Sequence, residues 1–233
     1  MRFRLMFVLC LALLPACVSH RTSPAKPDSS YGASHLIKTD LDRVTEAHQQ
    51  EIFASLRLLA ERLYRRNPRE LGKSGQKSVE AGLSRIFDRH HGWQFEDLDY
   101  LRGAQAIQLA FREDYRGDRV LAYVVGLASM IQVAFNNKTE FFVINDLDPQ
   151  GLHNAARNVE IALWKLSNTR TAKGDLFLLS NEITGPVNLS VEREFGKVIA
   201  SLDVLSKVLA GRYGRTVVKV VQSLATAVFL PIR

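Results

Sequence analysis

Between Val120 and Phe135 almost every residue is apolar, with Leu121, Val124, Val125, Leu127, Ile131 and Val133 spread over every face a helix would have. A helix with no polar face must be covered on all sides. The segment is too short for a membrane span and is interrupted by Ser129 and Gln132. It therefore demands neighbours, and the rest of the chain must supply them. Asp118 stands before it as an N-cap.

The flanking segments have the pattern such neighbours need. Asp40 reads as an N-cap, and helical periodicity runs to about Arg66 with Ile52, Leu56, Leu59 and Leu63 on one face. Asn67-Pro68 closes it, because the residue before a proline avoids the α region. Ser74 or Gly75 opens a shorter helix carrying Val79, Leu83, Ile86 and Phe87. A third amphipathic stretch is expected from about Glu96 to Tyr115, with Leu98, Leu101, Ile107 and Phe111 inward. Asp148-Pro149 is a strong helix start, and Leu152, Ala156, Val159, Leu163 and Leu166 follow on one face. Ser190 is expected to cap the best-patterned helix, which carries Val191, Phe195, Val198, Leu202, Leu205 and Leu209 and is broken at Gly211 and Gly214. Thr216 to Leu230 reads as a last apolar helix, packed into the core or offered to a partner or bilayer. Phe141 to Ile144 fits either a strand or a helical turn, and Leu176 to Leu179 a short strand inside a long connection, Gly174 to Asn188. No run sustains the alternation of a sheet. The expected fold is all-α: one domain, residues 37–233, of about six or seven helices around a buried central one.

The first residues carry a different message. Arg2 and Arg4 precede an apolar stretch from Leu5 to Ala16, and Leu14-Pro15-Ala16 lead directly into Cys17. This is the layout of a secretory signal, and its end resembles a bacterial lipobox. That resemblance, confined to residues 1–17, implies cleavage after Ala16 and an acylated Cys17 as the anchor in a membrane. Val18, rather than an acid, after the cysteine implies sorting to the outer membrane, facing the periplasm, if the cell is Gram-negative. Residues 17–36 then form the lipidated cysteine and a tether. Val18 to Leu36 has too little apolar content to fold and a root-mean-square reach of roughly 22–26 Å. Cys10 leaves with the leader, so no disulfide or cysteine-ligated metal is available. The body of the chain, from Arg65-Arg66-Asn67-Pro68-Arg69-Glu70 through Glu182 to Phe229-Leu230-Pro231-Ile232, is similar to a proteobacterial lipoprotein family to which no active residues attach.

Candidate chemistry is sparse. Asp146 to Gly151 opens like an EF-hand loop, but Arg157 stands where the bidentate glutamate belongs, and a helix cap accounts for Asp148. His90-His91-Gly92-Trp93, with Asp88, Glu96, Asp97 and Asp99 nearby, uses metal-ligand residue types. Adjacent histidines on a helix diverge by about 100°, so a helix end is the simpler account. Glu113, Asp114, Asp118, Glu140, Glu182, Glu192 and Glu194 supply carboxylates for a cell-wall hydrolase, though no motif singles one out. Arg62, Arg65, Arg66, Arg69, Lys73 and Lys77 form a basic stretch suited to anionic headgroups or an acidic partner surface. Nothing asks for a cofactor, and an exported basic domain without interleaved aromatics does not point to nucleic acid. The expectation is a non-catalytic interaction module of the envelope. A pocket for an apolar ligand and a peptidoglycan hydrolase are its alternatives.

Overall fold

The computed structural model describes residues 38–88, 90–142, 147–182 and 186–232. The chain divides into Met1–Ile37 and Lys38–Arg233. The expected leader, Cys17 and the tether lie outside the described residues. The second unit is all-α, with seven α-helices among the described residues. There is no strand among them, only two isolated bridges, Arg170 with Leu176 and Glu182 with Asn188. The strand expected at Leu176 to Leu179 is thus reduced to one paired residue. Phe141 and Phe142 are neither strand nor helix, while Val143 and Ile144 lie outside the described residues.

Helix α1 (Asp40–Arg66) begins one residue earlier in logic than its acid suggests: Thr39 is the cap and Asp40 the first helical residue. Asp42 decides this. The Thr39 N–H donates to its carboxylate at 2.7 Å while the Asp42 N–H donates to Thr39 Oγ1 at 3.2 Å, a reciprocal box that needs three-residue spacing. Asn67 ends α1, and Pro68 at once starts α2 (Pro68–Lys73), a helix the sequence pattern did not show. The residue that stops one helix has the fixed φ that opens another. Helix α3 (Val79–Phe87) is capped by Ser78, not by Ser74 or Gly75. Ser74 Oγ is instead committed to Asp118 at 2.8 Å.

The expected helix from Glu96 to Tyr115 is divided into a 3-10 turn, Glu96–Leu98, and α4 (Gly103–Leu109). Asp99 and Tyr100 between them adopt left-handed φ of 48° and 59°. The break lets α4 cross close to α5 (Arg119–Ala134). A Cβ on Gly126 would sit 2.6 Å from Ile107 Cγ1 and 2.8 Å from the Gly103 carbonyl, so only glycine permits this approach. The α4 N-terminus is satisfied across the contact, Gly103 N–H donating to Ser129 Oγ at 2.8 Å.

Helix α5 is the central element that its composition requires: every residue in it but Val133 is buried. It contacts α1, α4 and α6 (Pro149–Asn168), and Tyr123 meets Phe195 of α7 (Ser190–Tyr213) edge-on at 6.4 Å. Asp148 caps α6 as expected, accepting from the Gln150 and Gly151 N–H groups. Ser190 does not cap α7. It is the first helical residue, and Asn181 reaches in from the preceding loop to accept the Glu192 N–H. Gly211 lies within α7, which ends only at Gly214, φ 61°.

The last apolar segment departs most from expectation. Thr216 to Leu230 is an irregular strap, not a helix: it turns back at Leu224–Thr226, where Gln222 both donates to and accepts from Val228, and Val218, Val221 and Val228 are 66–95% exposed. Its β-branched run forms helix poorly, and α6 offers its backbone an alternative. Gln150, Asn154 and Asn158, spaced four apart on one helical face, bond the strap at Val218, Pro231 and Leu230. Gln150 and Asn158 each both donate to and accept from the strap backbone. Only Phe229 and Ile232 rest on the core.

Candidate binding cleft

Gln49 to Arg57 of α1, the end of α3 with the loop after it, Arg102 before α4, and the end of α5 with its following turn line a cavity of about 760 Å³. A second of about 370 Å³ adjoins it, and the two share Trp93, Arg102 and Asn137. The walls follow from local sequence. On α1, Phe53 and Arg57 are four residues apart, beside the stripe of Ile52, Leu56 and Leu59 that enters the core. They are left facing the loop of residues 90–95. That loop turns back through Gly92 and Trp93, with φ of 58° and 60°.

His91 holds the turn. One ring nitrogen, Nδ1, accepts the Trp93 N–H at 2.9 Å, so Nε2 carries the proton and donates to the Ile86 carbonyl at 2.8 Å. Both nitrogens are engaged, so the histidine is a staple and has no lone pair for a metal. His90 is exposed at the cleft. Among the described residues no three His, Cys, Asp or Glu side chains are grouped as a metal site would require. Trp93 is clamped by rings on three sides: Phe53 stacks on it at 5.7 Å, and Phe87 and His91 meet it edge-on at 6.1 and 5.3 Å.

The electrostatics are one-sided. Arg57 is paired bidentately with Asp88 at 2.7 and 3.3 Å, and that hydrogen bond holds the Asp88 carboxyl below the usual carboxylate range. Arg102 makes one long bond, 3.4 Å to the Gly92 carbonyl, and no ion pair with a described residue. Gln49 and Gln132 both donate to the Lys138 carbonyl, at 2.7 and 2.8 Å, which draws the 136–139 turn over the cleft. No carboxylate is among the described residues lining either cavity. Among the described residues five non-glycine positions have left-handed φ, and Trp93, Tyr100 and Asn137 of these line the two cavities. For bulky rings that conformation costs about 1–3 kcal/mol and persists only where surroundings enforce it.

Of the sequence-derived candidates, His90 and His91 enter this cleft and the others do not. In the basic stretch, Arg62 bonds Glu194 and the Ser190 carbonyl of α7, Arg65 pairs with Glu61, Arg66 with Glu182, and Lys73 with Glu70. Arg69 and Lys77 are exposed and make no ion pair with a described residue. The carboxylates are scattered: Asp114 pairs with Arg112, Glu113 accepts the Ala172 N–H, and Asp118 and Glu194 are buried among helices. Burial alone would raise the Glu194 carboxyl, but hydrogen bonds from Lys197 and Arg62 outweigh it and bring it below its ordinary value. Asp146, the first acid of the EF-hand-like stretch, lies outside the described residues. Arg157 is committed to Asp203 and Glu160.

Phe53 and Arg102 carried no signal in one dimension, and Trp93 stood out only beside the two histidines, because the three lie on different elements. Only the Asn136-Asn137 pair announces a left-handed turn by residue type. None of the described helices is long and apolar enough to cross a membrane. No family model, curated protein or solved structure matches the chain.

Proposed function

We propose that this chain is a lipid-anchored lipoprotein of the cell envelope. Its helical domain is a non-catalytic binding module that takes its ligand in the Trp93 cleft. The anchor rests on the sequence: a basic start, an apolar stretch and Leu14-Pro15-Ala16-Cys17. The domain side of the reading is carried by one observation, a cavity of about 760 Å³ whose walls combine clamped aromatic rings, guanidinium groups and amides. Such a volume is typical of small-molecule sites. Aromatic, cationic and amide groups hold and orient a ligand. A two-carboxylate hydrolase finds no acid to use among the described lining residues. The apolar surplus of Val120 to Phe135 is consumed in packing, which supports the cleft over the bundle interior as the ligand site.

Two measurements test the two halves. Radiolabelled palmitate should appear on the wild-type product and not on Cys17→Ser, and the variant should leave the membrane fraction. Equal fractionation of both removes the anchor. For the domain, substitution of Trp93 by Ala should abolish ligand binding while the far-ultraviolet spectrum is retained; unchanged binding moves the site elsewhere. Arg69 and Lys77, the unpaired members of the basic stretch, are the residues we propose for contact with anionic headgroups. Their double charge reversal should weaken adsorption of the Cys17→Ser protein to phosphatidylglycerol vesicles, and unaltered adsorption would discard that contact.

A further inference from the structure

We infer that the cleft binds an acidic saccharide: a sugar ring on Trp93, hydroxyl or acetamido groups on the Gln49 and Gln132 amide oxygens, and a carboxylate on Arg102. This rests on the reading of the cleft as the ligand site and names the ligand's chemistry.

Three observations define that chemistry. The first is charge. Arg57 is already neutralised by Asp88, whereas Arg102, at the junction of the two cavities, has a single 3.4 Å bond to a carbonyl. With no acid among the described lining, one cationic group is left for a ligand carrying one negative charge, and a guanidinium recognises a carboxylate through paired N–H donors. The second is hydrogen-bond polarity. Gln49 and Gln132 spend their N–H donors on the Lys138 carbonyl, and their amide oxygens receive no hydrogen bond from a described residue. Gln49 is 3% and Gln132 8% exposed. Neither oxygen is sealed from solvent, so both are open to donors from a ligand, which hydroxyl and acetamido groups possess and an alkyl chain lacks. The third is shape. Trp93 is locked by Phe53, Phe87 and His91 and belongs to both cavities, so it offers a rigid apolar surface where they meet. The C–H face of a pyranose suits such a surface, and the adjoining 370 Å³ leaves room for a second ring. A fatty acid would satisfy the charge and leave both amide oxygens without donors.

Two envelope sources share this chemistry, the lactyl-bearing sugar of the cell wall and the uronic acids of surface polysaccharides. Calorimetric titration of the full-length protein in detergent, at pH 7, separates them. The four probes are the N-acetylglucosamine–N-acetylmuramate disaccharide, a uronate disaccharide, neutral chitobiose and palmitate. The expected result is binding of at least one acidic disaccharide ten-fold or more tighter than chitobiose. The acid that binds identifies the source. Arg102→Gln should erase the preference over chitobiose, and Arg102→Lys should restore part of it. Because Arg102 is exposed, both variants should melt with the parent, and a shared melting temperature makes the comparison valid. Equal binding of chitobiose and the acids, or an Arg102→Gln variant that keeps its preference, overturns the inference. Palmitate binding without any saccharide leaves the cleft as a ligand site and refutes the class. Binding of none of the four removes the cleft reading itself.

Discussion

Asp118 shows how much one side chain can organise. One carboxylate oxygen caps α5 by accepting the Leu121 N–H at 2.9 Å. The other accepts the Tyr64 hydroxyl at 2.9 Å and the Ser74 hydroxyl at 2.8 Å. Burial pushes its carboxyl above the ordinary value, against the pull of those same hydrogen bonds. Asp118→Ala should therefore cost about 2–4 kcal/mol, a lost cap plus two hydroxyls left without an acceptor. Asp118→Asn keeps the shape but only one of the two acceptor oxygens, so it should cost less than Asp118→Ala while still losing either the cap or the two hydroxyl bonds. Urea denaturation of both variants checks this, and equal losses would show that charge, not geometry, is what α5 needs. The cap itself was legible, since an acid stood before an apolar run. The two hydroxyls were not, because Tyr64 and Ser74 are respectively 54 and 44 residues away.

At the scale of the element, glycines in α5 and α7 make opposite demands. Gly126 is pressed against α4, where a Cβ would lie within 2.8 Å of backbone that cannot yield cheaply. Gly126→Ala should destabilise by about 1–3 kcal/mol through overpacking. Gly196 in α7 has nothing within 4 Å of such a Cβ, and alanine there should stabilise by about 0.5–1 kcal/mol through helix propensity. Paired thermal melts should move in opposite directions, and a common direction would refute the close α4–α5 crossing. The strap gives the second test. Asn158 grips Leu230 through both backbone groups, at 2.8 and 2.6 Å. Asn158→Leu should leave the helical bundle folded while amide exchange and protease cleavage across 216–230 rise several-fold; unaltered protection would mean that Phe229 and Ile232 hold the strap by themselves. Its folded-back, non-helical form is not legible in the sequence because an apolar run of this length fits a helix equally well. The deciding partner, the amide row on α6, is remote in sequence.

Across the whole molecule, α6 and α7 are joined by His153, Arg157 and Asp203, with Arg157 2.6 Å and His153 3.6 Å from the Asp203 carboxylate. Burial, then the neighbouring Arg157 charge, lowers the His153 imidazole below its ordinary value, against the pull of Asp203. The unfolded chain then binds more protons than the folded one in the interval below the unperturbed histidine value of about 6.5. Stability contributed by the neutral ring is complete above that value and is lost as pH falls through it. Denaturant midpoints should drop between pH 7.5 and pH 5.5, and His153→Gln should flatten that interval. An unchanged slope would place the proton uptake elsewhere. Glu194 acts in a separate window: its lowered carboxyl contributes stability above about pH 4.3, lost only as pH falls further.

The sequence alone determined the all-α class, the central place of α5 and the caps at Asp118 and Asp148. Each follows from a local pattern: an apolar run without a polar face, or an acid beside the first free N–H groups of a helix. The split of the Glu96–Tyr115 stretch, the non-local capping of α7 and the unwound strap were decided by tertiary contacts. In the split stretch and the strap, groups far along the chain bond backbone that a continuous helix would have satisfied locally, and α7 takes its cap from Asn181 in the preceding loop. The cleft belongs to the same class. Phe53, Trp93 and Arg102 have separate local reasons to be where they are, and only the packing of α1, α3, α4 and α5 brings a ring clamp and the Arg102 guanidinium to one cavity.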